Sequence, residues 1–545
     1  MKNWATIETD VLVIGAGLTG LRAASAASRL GASVLLVGKC KSASPDIMGF
    51  NAAVQAEDST VCYYRDVRVS GAWLNDRAIS EQLVGGVTAE IRLLEELGLG
   101  FDKNADGSYH TIMTLGCTYP RLVHAGALTG VKAMRLLEAD AARLGAARRD
   151  MMVLELLLDG SNLAGAVAFD LPSGEYRLIR TKAAVLAAGG CGRIYRRTTY
   201  PPGIGGDSYA LAYRAGARLT DMEFQQYEPC CFVYPEELAG NLLPTTLLRA
   251  GARLQNNRGE DVLERYGMRI DSLQKGELAQ AMAAEIAAGR GTEHGGLYYD
   301  VSILPRDLLV RDHSIFYETP LKAGIDLTTA LAEVAPCAHT CLGGVQITAD
   351  TDTGINGLYA AGEAVGGVHG ANRIGGCAGA ETLVFGGLAG ARAARRAATD
   401  GFVCSPEKLT GLAKGSTDEA ERLLGRSVGE APGAIHRELG DIMTEHAGLV
   451  RSQSGLEQAA VAVAGLEDRL AHSRLGSRAD IPLYHSCVNM LTVAQMQVAS
   501  SHYRKKSLGV YSRADSVDAA AATRYNTVLQ RQDGVMRVTT VSRFD

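Results

Sequence analysis

The sequence predicts an α/β fold in which a nucleotide-binding unit is interrupted by an inserted segment and followed by helices. Three observations carry this prediction. A short apolar run near the N-terminus leads directly into a glycine-rich turn, two later apolar runs also end in small residues, and helical spacing of apolar residues begins after about residue 405. Strands that alternate with helices are typical of a parallel sheet covered on both faces.

Composition narrows the class of protein. The chain has 545 residues, with 55 Lys and Arg against 60 Asp and Glu, and its net charge of −5 argues against a generally basic nucleic-acid binder. Eleven scattered cysteines, without two pairs at metal-ligand spacing, predict a reducing compartment and no metal site. Because neither a signal peptide nor a run of 18 apolar residues is recognisable, we expect a cytoplasmic chain without a membrane span.

The N-terminal unit has the pattern of a βαβ motif. It comprises a strand over Asp10–Ile14, a turn with Gly15, Gly17 and Gly20, a helix over Leu21–Leu30 and a strand over Ala32–Val37. Gly15 permits the tight turn, Gly17 lets a diphosphate approach the backbone, and Gly20 lets the helix pack close to the strand. Because the glycines stand between a strand and a helix N-terminus, the motif predicts dinucleotide binding.

The end of the second strand departs from the usual pattern. An acidic residue normally binds the ribose hydroxyls there, but Gly38 and Lys39 occupy these positions. We therefore expect backbone atoms or Ser42 to contribute the ribose contacts.

Two later segments, Ala183–Gly190 and Gly357–Glu363, are predicted to return to the same sheet as strands. Both end in small residues that let a cofactor pass close, and Glu363 is placed to bind hydroxyls of a ribityl chain. Since an NAD domain would be complete within about 150 residues, the distance between these segments favours FAD.

The pattern divides the chain into five predicted regions. They are the two parts of a FAD-binding domain at 1–232 and 339–404, an inserted segment at 233–338, a helical domain at 405–506 and a C-terminal tail domain at 507–545. The inserted segment contains a predicted helix at about Leu278–Ala288. In the helical region, Ser416 with Glu419 and Ser454 with Glu457 have capping-box spacing. An apolar stripe at helical spacing consists of Leu456, Ala459, Val463, Leu466 and Leu470.

At His369–Gly376 (HGANRIGG) the chain resembles the flavoproteins of succinate dehydrogenase and fumarate reductase, and their relative L-aspartate oxidase. The similarity covers nearly the whole chain. It is carried by the glycine turn and by GFNAA from Gly49, AAVLAAGGCGRIY from Ala183, GDSYALAYRAGA from Gly206, AHTCLGGV from Ala338, GLYAAGEAVGG from Gly357 and RQDGVMRV from Arg531. The resemblance implies that the inserted segment at 233–338 is an α+β capping domain that splits a Rossmann-like FAD-binding domain, with the substrate between the flavin and the cap. It also implies hydride transfer between flavin N5 and one carbon of a dicarboxylate, with proton exchange at the neighbouring carbon.

The resemblance also implies which residues contact FAD. The expected cofactor-binding residues are Gly15, Gly17, Leu18, Thr19, Gly20, Lys39, Ser42, Gly49, Asn51, Ala188, Gly189, Gly190, Asp207, Gly362, Glu363, Arg373 and Ala378. The histidine that bonds FAD covalently in succinate dehydrogenases falls near Ser42, and no histidine lies between Met1 and Gly107. We therefore expect FAD to be bound non-covalently.

For the substrate, the resemblance assigns His339 and Arg373 to one carboxylate. Arginine suits this role because its planar fork holds both oxygens. Thr245 and Arg249 match a threonine and an arginine near the proton path, and Thr246 stands in place of the family's glutamate.

Other positions depart from the family pattern. Lys275 falls at the position of the proton-donating arginine, and Glu228 at that of a substrate-binding histidine. As a free anion, Glu228 would repel a second carboxylate and attract an amine, hydroxyl or amide. Alternatively, it pairs with Arg249 or Lys275 and leaves dicarboxylate binding intact. Ala378, with the cysteine before it, replaces the family's Asn-Ser.

Three functions remain open from the sequence. The first is an oxidoreductase of the fumarate reductase kind, which acts beside a carboxylate and passes electrons through a separate iron–sulfur protein. The second is a stand-alone oxidase like L-aspartate oxidase. The third is a flavin-binding or electron-relay protein without turnover.

Overall fold

A computed structural model describes residues 4–270, 273–312, 314–516 and 524–542 of the chain. The strands are β1 Ala5–Ile14, β2 Val34–Gly38, β3 Phe50–Asn51, β4 Thr111–Ile112, β5 Leu122–Val123, β6 Ala147–Asp159, β7 Asn162–Asp170, β8 Glu175–Leu186, β9 Leu219–Thr220, β10 Gln225–Tyr234, β11 Arg253–Gln255, β12 Leu297–Asp300, β13 Ala332–Cys341, β14 Gly344–Gln346, β15 Leu358–Ala360, β16 Val365–Gly366, β17 Val450–Arg451, β18 Ser512–Arg513, β19 Tyr525–Gln532 and β20 Val535–Ser542.

The α-helices vary in length from single turns to more than twenty residues. They are α1 Leu18–Arg29, α2 Thr60–Ser70, α3 Arg77–Glu96, α4 Thr129–Arg143, α5 Asp207–Arg214, α6 Thr246–Arg249, α7 Val262–Arg265, α8 Lys275–Glu285, α9 Ser314–Lys322, α10 Cys377–Thr399, α11 Pro406–Leu412, α12 Asp418–Leu423, α13 Pro432–His446, α14 Gln453–Ala471 and α15 Ile481–Tyr503.

The largest sheet contains a parallel part in the order β15–β8–β1–β2–β6. In register, Val13 of β1 lies opposite Leu36 of β2 and Val185 of β8. Both later segments therefore return to the first sheet as parallel strands, as the sequence predicts. The far ends of β6 and β8 pair with β7 as an antiparallel meander. Since parallel strands expose their carboxyl ends at one edge, the small-residue turns converge there.

A second sheet has the order β10–β13–β12–β11 and carries its own apolar core. All buried members of that core lie between Cys230 and Val334, close to the predicted insertion. The predicted helix is α8, which begins and ends three residues earlier than expected and packs on β10 and β13. The two strands that connect this part to the rest, β10 and β13, pair with each other over most of their length. The domain boundaries themselves stay a prediction.

The C-terminal region is helical, with α13, α14 and α15 packed against one another. The apolar stripe of α14 is confirmed, because its five predicted positions are the buried residues of that helix. The predicted capping boxes are wrong: Ser452, not Ser454, caps α14, and Thr417 stands at the N-terminus of α12 without a side-chain cap bond. Serine two residues inside a helix cannot reach the exposed N–H groups that a cap must satisfy.

The tail places the hairpin β19–β20 on a sheet ordered β16–β14–β9–β19–β20. The tail predicted from residue 507 is described over 507–516 and 524–542, and its other residues lie outside the described part. Within the described ranges, no helix combines the length and the apolar character that a membrane crossing needs.

Candidate active site

The glycine turn joins β1 to α1 at the carboxyl edge of the parallel sheet. Gly15 has a φ of +119°, and a Cβ atom there would lie 2.1 Å from the carbonyl oxygen of Ala187. A Cβ atom on Gly20 would lie 1.7 Å from the carbonyl oxygen of Gly15. The tight turn and the close helix–strand approach predicted for these two glycines are therefore confirmed.

The N-terminus of α1 opens toward the end of β2. Gly17 stands at the cap position and supplies no side chain, and the Leu18 N–H donates to Ser44 Oγ at 3.0 Å. The first turn carries no acidic side chain. Exposed N–H groups and the helix dipole together make this end a binding site for an anion such as a diphosphate.

A cavity runs along this edge of the sheet between the glycine turn, the end of β2 and the end of β8. Of the predicted cofactor residues, it is lined by Gly15, Gly17, Leu18, Thr19, Lys39, Ser42, Ala188, Gly189, Gly190, Asp207 and Glu363. The other six, Gly20, Gly49, Asn51, Gly362, Arg373 and Ala378, do not line it. Gly20 instead serves helix–strand packing, and Asn51 donates from Nδ2 to the carbonyl oxygen of Gly375 at 2.7 Å.

An acid from another element lies beside the end of β2. Lys39 Nζ lies 2.7 Å from Oδ2 of Asp207, the first residue of α5, and donates to Ser486 Oγ at 2.9 Å. Asn489 Nδ2 donates to Oδ1 of the same aspartate at 2.9 Å. A carboxylate therefore lines the cavity next to the end of β2, although Asp207 is far from β2 in sequence.

Glu363 lies on the opposite wall of the cavity. Its Oε1 accepts hydrogen bonds from the hydroxyl of Tyr200 and from the Cys341 N–H, the latter at 3.0 Å. Burial raises the pKa of this carboxyl to about 7. With the helix N-terminus, the glycine backbone and two acids, the cavity fits a dinucleotide that carries a negative diphosphate and several hydroxyls.

The predicted substrate residues Glu228 and Lys275 form an ion pair. Lys275 Nζ, at the first residue of α8, lies 2.5 Å from Glu228 Oε2 on β10. The glutamate is 2% exposed and the lysine side chain 31%. Burial acts to raise the pKa of Glu228, but Lys275 foremost holds it below its ordinary value. The alternative in which Glu228 pairs with Lys275 is thus the one observed.

His339, near the end of β13, belongs to the same cluster. Burial lowers its pKa to about 3, so the imidazole is neutral at neutral pH. The charges of Glu228, Arg373 and Lys275 also shift this pKa, so all three groups lie close enough to His339 to interact with it electrostatically. The ring nitrogen Nδ1 lies 2.9 Å from Thr199 Oγ1.

Arg373 approaches the cluster from the segment between β16 and α10. Its Nε is buried without a hydrogen-bond partner. Its Nη1 donates a long hydrogen bond of 3.4 Å to the carbonyl oxygen of Ile374. The backbone is fixed, because Gln226 Nε2 donates to the Arg373 carbonyl oxygen at 3.1 Å. A poorly satisfied guanidinium beside a neutral histidine suits an incoming carboxylate.

The remaining predicted site residues lie on and before the short helix α6. Thr245 is buried at the position preceding the helix, whereas Thr246 and Arg249 are exposed. Their roles toward substrate stay predictions.

The sequence reasoning missed several residues of the site. Ser44, Tyr200 and Thr382 line the cavity, and Thr199 contacts His339. Thr199 and Tyr200 follow closely after the predicted strand Ala183–Gly190, so their position beyond a carboxyl-end turn was the available signal.

Comparisons with known proteins agree with this geometry. A family model described as a FAD binding domain matches residues 10–378, and one described as the fumarate reductase flavoprotein C-terminal region matches 436–543. The chain is 33% identical over 540 residues to one of the subunits of the fumarate reductase (CoM/CoB) of Methanothermobacter marburgensis, covering 96% of this chain and 97% of that one. It is 28% identical over 533 residues to the L-aspartate oxidase of Yersinia pestis, covering 94% and 96%. The solved flavoprotein of a quinol fumarate reductase variant from E. coli superposes with a TM-score of 0.91, at 28% identity and 98% and 97% coverage.

Proposed function

The chain belongs to the FAD-dependent flavoprotein family of fumarate reductases and succinate dehydrogenases, and from this premise we propose that it oxidises or reduces a carbon–carbon bond beside a carboxylate in a small organic acid. As a member, it is a FAD-dependent oxidoreductase with the α/β architecture that the sequence predicts. When bound, FAD supplies the two-electron donor or acceptor of this chemistry.

The observation that carries the proposal is the state of Arg373. A buried Nε without a partner costs free energy unless an anion satisfies it. A substrate carboxylate that accepts from Arg373 and from neutral His339 would satisfy it. The same interaction holds the carbon next to the carboxylate in place and stabilises charge that develops there during reaction.

Lys275 is proposed as the group that exchanges a proton with the substrate carbon. Its Nζ lies 2.5 Å from the buried carboxylate of Glu228. Glu228 thereby holds the ammonium group in position. Thr245, Thr246 and Arg249 would lie along the route of that proton.

The electron partner is proposed to be a separate iron–sulfur protein. Relatives are named as subunits, including the Methanothermobacter marburgensis protein and several fumarate reductase flavoproteins. A cytoplasmic location is part of the same proposal, supported by eleven cysteines that are all free thiols.

A second candidate function is that of a stand-alone oxidase acting on an amino acid, because L-aspartate oxidases are among the relatives. The pairing of Glu228 with Lys275 weighs against it, since the carboxylate is already engaged and is not left for a substrate amine. The membership in a family of enzymes disfavours the third alternative, a protein without turnover.

An anaerobic screen of small organic acids against the holoprotein tests the proposal. Flavin absorbance is followed after chemical reduction with fumarate and related unsaturated acids, and in the oxidised state with succinate and aspartate. Reoxidation by an unsaturated acid, together with no reduction by aspartate, supports the reductase assignment. Reduction by aspartate, followed by rapid reoxidation in air, would support the oxidase instead.

A further inference from the structure

Four consecutive residues, Arg197–Tyr200, join the separate parts of the site; we call this segment the strap. The side chains of the strap contact three parts of the molecule. Arg197 donates to the carbonyl oxygens of Gly295 at 2.8 Å and His294 at 3.2 Å, which precede β12. Thr198 and Thr199 contact β13: Thr198 Oγ1 donates to the Ala338 carbonyl oxygen at 2.9 Å, and Thr199 Oγ1 lies 2.9 Å from His339 Nδ1. The Tyr200 hydroxyl donates to Glu363.

The backbone of the strap is fixed on both sides of Thr199. The Ala338 N–H donates to the Arg197 carbonyl oxygen at 2.9 Å, and the Thr199 N–H donates to the Ala338 carbonyl oxygen at 3.0 Å. Threonine is also stiff at χ1 because of its branched Cβ. The Thr199 hydroxyl is therefore held at one place beside the imidazole.

We propose that Thr199 is a positioning residue that fixes the tautomer of His339, with Nδ1 accepting from the hydroxyl and Nε2 carrying the proton. A neutral imidazole has one N–H, and a carboxylate accepts hydrogen bonds but donates none. A neutral His339 can bind a carboxylate only through a protonated ring nitrogen. Because Nδ1 faces Thr199, that nitrogen must be Nε2. The inference rests on the proposed role of His339 as a carboxylate-binding residue.

Three substitutions in the full-length holoprotein test the consequence for binding. Thr199→Val removes the hydroxyl at nearly constant shape, Thr199→Ser restores it, and Thr9→Val removes a buried hydroxyl of β1 that bonds to the carbonyl oxygens of Val11 and Ser33, outside the site. Fumarate is titrated against each protein by flavin absorbance. We expect fumarate to bind about 10- to 100-fold more weakly to Thr199→Val, because a buried acceptor loses its donor. We expect Thr199→Ser and Thr9→Val to stay within about threefold of the unmutated protein.

The tautomer itself is read from ¹⁵N NMR of histidine-labelled holoprotein, with His339→Asn used to assign the resonances. The ligand-free protein should show an unprotonated Nδ1 and a protonated Nε2 for His339, and Thr199→Val should lose this preference. A proton on Nδ1 in the unmutated protein, or unchanged fumarate affinity of Thr199→Val, would overturn the inference. The ligand-free spectrum needs no substrate, so it separates a wrong tautomer from a wrong substrate class. Should fumarate fail to bind the unmutated protein while Nε2 is protonated, the tautomer stands, and the titration is repeated with the acid that reacts in the anaerobic screen; if no acid reacts there, the proposed function fails independently.

Discussion

Lys275 at the start of α8 and Glu228 on β10 are joined by a 2.5 Å contact between Nζ and Oε2, although 47 residues separate them in sequence. We predict from the sequence that Lys275 stands in place of the family's proton-donating arginine and Glu228 in place of a substrate-binding histidine. The contact shows that the two residues pair with each other. The pair is internally neutral, so the net positive charge at Arg373 remains available to a carboxylate.

Removal of the Glu228 charge should impair catalysis through Lys275. In Glu228→Gln the buried carboxylate that contacts Lys275 Nζ becomes a neutral amide, so the ammonium loses the charged partner that holds it in place. We expect turnover to fall about 10- to 100-fold at neutral pH. Steady-state rates measured with an artificial electron donor check this. Glu277→Gln, which removes a charge from the first turn of the same helix, is the matched control and should leave turnover unchanged.

Arg373→Lys should nearly abolish turnover while FAD stays bound. Lysine keeps the charge but loses the planar two-pronged hold on a carboxylate. Loss of one such interaction in a dry site corresponds to about 2–4 kcal/mol, or roughly 30- to 1000-fold in rate. Steady-state kinetics give the rate and the flavin spectrum reports occupancy. Turnover close to that of the unmutated protein would show that another group anchors the carboxylate.

The affinity for fumarate should vary little between about pH 5.5 and 8. The pKa of His339 is lowered by burial to about 3, so the ring is already neutral throughout that range and binds as a neutral donor. Between the folded-state pKa of about 3 and the ordinary histidine pKa, the unfolded chain binds a proton that the folded ring does not. Only acidification toward pH 3 would therefore charge His339 in the folded protein. Dissociation constants measured by flavin absorbance test this. A loss of affinity centred on the ordinary histidine pKa would mean that the bound form is the imidazolium.

Flavin should leave the protein on denaturation. No histidine lies near Ser42 in the sequence, where the covalent bond to FAD would form, and Ser42 itself lines the cavity. Acid precipitation followed by spectroscopy of the supernatant measures release. Flavin that remains in the pellet would show a covalent bond at another residue.

Gly20→Ala should prevent assembly of the nucleotide-binding unit. A Cβ atom there would lie 1.7 Å from a backbone oxygen of Gly15, so helix and strand must separate. We expect a loss of more than about 3 kcal/mol in unfolding free energy and loss of bound FAD. Gly85→Ala within α3 meets no atom within 4 Å and is the control, with an expected gain of about 0.5–1 kcal/mol. Thermal unfolding of both variants, with flavin content, provides the comparison.

Local patterns in the sequence predicted the parts of the fold that depend on local physics. The βαβ unit, the two returning strands and the stripe from Leu456 to Leu470 follow from strand runs, glycines and helical spacing. The capping boxes failed because serine spacing alone does not fix where a helix begins. The sequence could not decide whether Glu228 is a free anion or part of an ion pair, because that depends on where α8 packs on β10. The role of Thr199 and the Lys39–Asp207 pair depend on contacts between distant segments, and the local signal for Thr199 was limited to its position shortly after a predicted strand.

The candidate substrate contacts come from two separately anchored parts of the chain. Glu228, Lys275 and His339 belong to β10, α8 and β13, which pack together, whereas Arg373 lies between β16 and α10. A single carboxylate that accepts from both His339 and Arg373 would therefore link the two parts. The relative placement of these parts, and not any one side chain, would then decide whether both residues can bind the carboxylate at once.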